Sequence, residues 1–85
     1  ALLREARIAL AAGRTERALE LADEHVRRFP VGLLSEERDA MRVITLCALG
    51  RVDEARRAAR DFLGANPDSA HVDRVRRSCA GTDSP

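Results

Sequence analysis

Large aromatic side chains are almost missing from this sequence, which has no Trp, no Tyr and only two Phe in 85 residues. Without aromatic rings there is little on which a nucleic-acid base could stack. Lys is missing as well, because all fifteen basic residues are Arg, and fourteen acidic residues leave a net charge of +1. Such a balance provides no general attraction to nucleic acid or to an anionic membrane. We therefore expect no nucleic-acid partner.

Long apolar runs are also missing. The runs present are too short to cross a bilayer, so no direct membrane insertion is expected of this segment. A signal peptide is not found. The chain begins at Ala1, without Met and within a helical pattern, and we expect it to be part of a longer protein.

Cysteine is scarce, with only Cys47 and Cys79. Two cysteines do not make a disulfide framework, and they leave the redox compartment open. We interpret Cys47 as a small apolar side chain, because it lies on an apolar helical stripe. For Cys79, the alternative to an inert residue is an intermolecular disulfide in an oxidising compartment. No Cys or His pair has the short spacing of a structural zinc site, so neither a metal nor a cofactor is predicted.

Ala, Leu, Arg and Glu are abundant, and this composition favours helices, whereas the strand formers Val, Ile and Thr are sparse. The stretch AAGRTERALELADEHVRRFP (11–30) recurs 37 residues later as ALGRVDEARRAARDFLGANP (48–67). A period of roughly 20 to 50 residues is the signature of stacked repeats. The sequence therefore predicts an all-α fold of about five helices, in which two antiparallel helical hairpins stack and a C-terminal helix caps them.

Unit one is predicted over residues 2–30. Its first helix carries apolar residues at helical spacing and ends at Gly13, which supplies a left-handed conformation. Its second helix runs from about Thr15 to Phe29, and proline marks the exit.

Unit two is predicted over residues 35–67, with Ser35 as N-cap and a reversal at Gly50. A capping helix is predicted over residues 68–79. Its narrow apolar face can pack on the last hairpin while its polar side faces solvent, as at the end of a stack of repeats. The polar residues 81–85 are predicted to form a disordered tail.

Glycine, alanine and proline recur at the same intervals in both units. The positions are Gly13, Ala18, Pro30, Gly50, Ala55 and Pro67. This pattern resembles the tetratricopeptide repeat over residues 2–79, although the period of 37 exceeds the ~34 residues usual in that family and its large first-helix aromatics are missing. The helix ends RRFP and DFLGANPDSAH are similar to those of envelope-associated bacterial members, of the outer-membrane assembly lipoprotein and Tol-Pal-associated types. That similarity favours the periplasm or cell envelope over the cytoplasm.

The resemblance implies a non-enzymatic scaffold that binds a protein or peptide partner in a concave groove. In the family, the first helix of each hairpin lines this groove. Transferred to this sequence, the groove residues are Leu3, Arg7, Leu10, Glu37, Ala40 and Ile44. Such a groove could seat a helix or an extended peptide. The alternative is that these residues belong to the core or cover a second copy of the domain.

No pattern brings a nucleophile, a base and an orienting group together, so no enzymatic activity is predicted. His25 stands where the repeat family has Ala. We interpret it as a partly buried side chain at the hairpin seam, with a pH-sensing role as the alternative. Two other functions stay open, namely a homodimer formed through the apolar face and a cytoplasmic regulatory domain of a transcription or signalling protein.

Overall fold

A computed structural model describes residues 1–81 of the chain, and within that range it contains five α-helices and no strand. The helices are α1 (Leu2–Ala11), α2 (Thr15–Arg28), α3 (Ser35–Ala48), α4 (Val52–Ala65) and α5 (Val72–Arg76). The predicted all-α fold of about five helices is confirmed. The predicted disordered tail lies outside the described residues, except for Gly81.

Both hairpins reverse at a glycine in the left-handed region, with φ of +82° at Gly13 and +78° at Gly50. The N–H groups of Gly13 and Arg14 donate to the carbonyls of Leu10 and Ala9 at 3.1 and 2.8 Å. Gly50 and its successor make the equivalent bonds at the end of α3. These bonds satisfy the last carbonyls of the first helix in each hairpin, and glycine adopts the required conformation without a Cβ penalty.

The core is made mainly of small side chains at the helix contacts. Five alanines have no exposed surface, namely Ala6, Ala18, Ala22, Ala40 and Ala55. Because alanine keeps the helix axes close, the larger core residues can fill the remaining space between layers. Helix α3 is central, since it contributes Met41 to a cluster with hairpin one and Leu46 to a second cluster with α4 and α5.

The cap is shorter than the predicted helix over 68–79, because only Val72–Arg76 is helical. After α5 the hydroxyl of Ser78 donates to the carbonyl of Val75 at 2.6 Å and accepts from the N–H of Ala80 at 3.1 Å. A serine that bonds the backbone locally competes with continued helix. The chain therefore turns back after α5 and buries Ala80 beside the fully buried Val75.

Cys47 and Cys79 form a disulfide, with their Cα atoms 5.7 Å apart. This corrects both interpretations made from the sequence. Cys47 is not an unpaired apolar side chain, and the partner of Cys79 lies in its own chain. The two residues are 32 positions apart, and only the turn after α5 places Cys79 at the C-terminal end of α3.

Ser35 is the first residue of α3 rather than its N-cap, and its hydroxyl donates to the carbonyl of Gly32 at 2.9 Å. In the described residues, no helix combines the length and apolar character needed to cross a bilayer.

Candidate functional site

The six predicted groove residues do not form a continuous exposed trough. Leu3 and Ala40 lie in the core, with 1% and 0% of their surface exposed. Leu10 packs against the cluster between hairpin one and α3, and Ile44 is half-buried. Arg7 is the only exposed member of the six, and its Nη1 forms an ion pair with Glu37. This pair joins α1 to α3 across the predicted groove, so that face offers little free apolar surface.

Within residues 1–81, four of the five exposed large apolar side chains lie instead on the link between α2 and α3. Val31 and Leu33 are 90% and 101% exposed, and Phe29 and Leu34 are 51% and 47% exposed. We call these four residues the link patch. Loops between helices are ordinarily polar, and a run of exposed apolar side chains is costly unless it makes a contact.

The link patch borders an apolar concavity of 390 Å³ at the end of the bundle where α1 begins. The concavity is lined by Ala1, Leu2, Leu3, His25, Phe29, Val31, Gly32, Leu33 and Leu34. His25 is its only side chain with polar atoms, and its ring centroid lies 5.2 Å from that of Phe29. A space of this composition suits an apolar side chain rather than a charged ligand.

The backbone of the link is held in place by a buried cation. Arg38, on α3, is only 3% exposed. Its Nη1 donates to the carbonyl of Phe29 at 2.7 Å, its Nη2 donates to that of Pro30 at 3.3 Å, and its Nε donates to Asp39 at 2.8 Å. The residues after α2 cannot make helical bonds, so Arg38 supplies the donors that these carbonyls need. The result is a link whose backbone is anchored inside while its apolar side chains face outward.

His25, on α2, also contacts the guanidinium of Arg38. It is 8% exposed, and its Nδ1 lies 3.3 Å from Nη1 of Arg38. Burial lowers the pKa of His25 below its usual range, and the positive charge of Arg38 lowers it further, while Asp39 opposes the shift. Since an arginine can only donate, Nδ1 acts as the acceptor and the neutral ring carries its proton on Nε2. His25 therefore lies at the hairpin seam, as the sequence indicated.

A second concavity, of 560 Å³, lies among α2, α3 and α4. Its lining carries charges of both signs, from Asp23, Arg27, Arg38, Asp39, Arg42 and Asp61. The Nε of Arg42 donates to Asp23 at 2.7 Å, and Arg38 is paired with Asp39. Arg38 and Arg42 are thus already paired with carboxylates, so an anion that bound to either of them would have to displace an existing pair.

Both cysteines are in the disulfide, and no group of three or more His, Cys, Asp or Glu within residues 1–81 is placed to hold a metal ion. His25, which lines the 390 Å³ concavity, has its Nδ1 against Arg38.

Comparison of the chain with protein-family models, curated proteins and solved structures finds no match. Function must therefore be inferred from contacts, burial and charge. Sequence reasoning did not find the link patch or Arg38. The segment PVGLL held a usable signal, because it places three large apolar residues in a linker where turn chemistry favours polar ones.

Proposed function

We propose that this chain is a non-enzymatic protein-interaction module that contacts its partner through the link patch. The observation that carries the proposal is the nearly complete exposure of Val31 and Leu33 on a link anchored by Arg38. A flexible loop would lose conformational entropy on binding, whereas an anchored backbone has already lost much of that entropy on folding. Binding through these exposed side chains therefore requires little further ordering of the backbone.

The chemistry of the surroundings favours a protein partner. The concavity of 390 Å³ accepts an apolar side chain, and buried apolar anchors supply much of the energy at protein interfaces. The charged residues that flank the link in sequence are of both signs, since Arg28 pairs with Glu24 at 3.1 Å and Glu36 follows the link. A mixed rim gives no particular attraction to an anionic lipid surface.

The scaffold is proposed to be tetratricopeptide-like. Two helical hairpins that reverse at Gly13 and Gly50 and share α3 as their central helix support this assignment. The contact surface is proposed to differ from the family's groove, because Leu3 and Ala40 are buried and the Arg7–Glu37 pair spans that face.

An oxidising compartment is the proposed location, either the periplasm or another part of the cell envelope. The support is the Cys47–Cys79 disulfide, since disulfides persist mainly outside the reducing cytosol. The same observation counts against a cytoplasmic regulatory domain.

Site-specific cross-linking in cells tests the proposal. A photoreactive phenylalanine analogue at Leu33 should capture a discrete protein in cells, with the same analogue at exposed Arg4 on the outer face of α1 as control. A product that is a second copy of the chain would establish the homodimer. Cross-linking at Leu33 no stronger than at Arg4 would contradict the link patch as a contact surface.

A further inference from the structure

Helix α5 is held to the bundle by few contacts. It has five residues, too few to be stable as an isolated helix. Val75 and Ala80 are the residues of this segment that are buried in the core, and Val72 is half-buried beside them. The disulfide from Cys79 to Cys47 is the one covalent contact between this segment and α3. Without it, the cap would depend on two or three apolar contacts.

One of the two cysteines in the disulfide is an exposed residue. Cys79 is exposed, whereas Cys47 is half-buried at the end of α3. Thiol–disulfide exchange needs a thiolate to reach one of the two sulfurs, and exposed disulfides are generally the labile ones. Of the two residues, Cys79 is the exposed one and therefore the more open to attack.

We propose that the Cys47–Cys79 disulfide is a redox latch, and that its reduction releases the segment after α4 while both hairpins stay folded. The hairpins have their own contacts, since the cluster of Leu3, Leu21 and Met41 contains no residue of the cap. Helices α3 and α4 also pack directly on each other, and both contribute to one cluster, α3 through Leu46 and α4 through Phe62. Local opening of a weakly held element below the global unfolding free energy is a general property of proteins.

The reductant is a protein dithiol. Its first thiolate attacks the sulfur of Cys79, the S–S bond breaks, and the thiolate of Cys47 leaves and takes up a proton. The second thiol of the dithiol then attacks the mixed disulfide and releases Cys79, which is also protonated. Two electrons pass from the dithiol, which becomes a disulfide, to the Cys47–Cys79 pair, which becomes two thiols.

Opening the latch uncovers a second apolar surface, distinct from the link patch. Val75 and Ala80 of the cap belong to the same buried cluster as Phe62, which is 2% exposed, and Leu63 and Cys47 pack against that cluster. With the cap released, these side chains meet water. The redox state of the disulfide therefore controls how much apolar surface α3 and α4 expose. This control is separate from the proposed contact through the link patch.

Trypsin tests the latch directly, because the cap contains three cleavage sites at Arg74, Arg76 and Arg77. On reduction with dithiothreitol, cleavage at these sites is expected to accelerate by at least about tenfold, as proteolysis tracks local opening. Cleavage after Arg14 and Arg17, in hairpin one, is expected to change by less than about threefold. Intact protein should keep its helical circular dichroism apart from the short cap.

A Cys47→Ser, Cys79→Ser double variant provides the matched control. It should show the fast cap cleavage without reductant and no further response to dithiothreitol. Acceleration at all sites together, with loss of circular dichroism, would show that the disulfide holds the whole fold and would overturn the latch. Unchanged cleavage of the reduced wild-type protein would overturn it too.

Discussion

The guanidinium of Arg38, on α3, lies 3.3 Å from Nδ1 of His25, on α2. The contact requires a neutral imidazole, because Arg38 only donates and a protonated His25 would place a second cation beside it. Arg38 also binds the carbonyl of Phe29 at 2.7 Å, so the protonation of His25 is coupled to the anchor of the link.

Stability is expected to fall as the solution is acidified. The folded state lowers the pKa of His25, so the unfolded chain binds the proton more readily. The contribution of His25 is fully present above the unfolded pKa of about 6.5 and is lost as the pH falls through the lower folded pKa. Urea unfolding midpoints between about pH 7.5 and pH 5 measure this. His25→Gln, which keeps an acceptor for Arg38 but does not titrate, should flatten the profile.

Removal of Arg38 should destabilise the fold much more than removal of the neighbouring Arg42. Arg38→Ala leaves the carbonyls of Phe29 and Pro30 without their donor and is expected to cost about 3 kcal/mol. The Arg42–Asp23 pair is partly exposed, and Arg42→Ala is expected to cost no more than about 1 kcal/mol. Chemical denaturation of both variants checks the difference. Equal losses would mean that the buried bonds to the link are not the source of the effect.

Gly81 should tolerate no side chain. A Cβ at this position would lie 2.1 Å from the carbonyl oxygen of Arg76, where the chain folds back over α5. Gly81→Ala is expected to loosen the cap and to accelerate amide exchange at Val75. Gly64→Ala is the control, because a Cβ there meets nothing within 4 Å. Because Gly64 is the last residue but one of α4, this change should stabilise the protein by no more than about 0.5 kcal/mol. Unchanged exchange in Gly81→Ala would contradict the close approach.

The link patch should be dispensable for folding. Leu33→Ser and Val31→Ser replace nearly fully exposed side chains and are expected to change the free energy of unfolding by less than about 0.5 kcal/mol. Leu3→Ala, at a fully buried position, should cost about 2–5 kcal/mol. In cells, the serine variants should abolish capture by a photoreactive residue at Phe29. Capture that survives both substitutions would contradict the proposed function.

The hairpins could be predicted from the sequence because the responsible interactions are local. At Gly13 and Gly50 the helices end through backbone hydrogen bonds to carbonyls three to five residues earlier. The effect of each glycine can therefore be predicted from the adjacent residues. Alanines at helical spacing likewise mark a buried face without knowledge of the partner helix. The cap was predicted too long, because the hydroxyl of Ser78 ends it after Arg76.

The candidate site could not be predicted in the same way. Ala40 was assigned to an open groove, yet it is fully buried, because α3 lies between hairpin one on one side and α4 and α5 on the other. In the sequence, Arg38 cannot be distinguished from the exposed arginines. Its acceptors are the backbone carbonyls eight and nine residues earlier, and these carbonyls face Arg38 only after the link turns.

The sequence by itself determined an all-α chain with two helical hairpins and no large aromatic core. Its composition lacks aromatic residues, and the helices and their glycine ends depend on residues within about one helical turn of one another. The tertiary structure alone decided that Cys79 meets Cys47, that Arg38 is buried beneath the link, and that the apolar side chains of Val31 and Leu33 remain outside. These outcomes depend on how the helices stack in space, because the residues concerned interact only after the chain has turned back on itself.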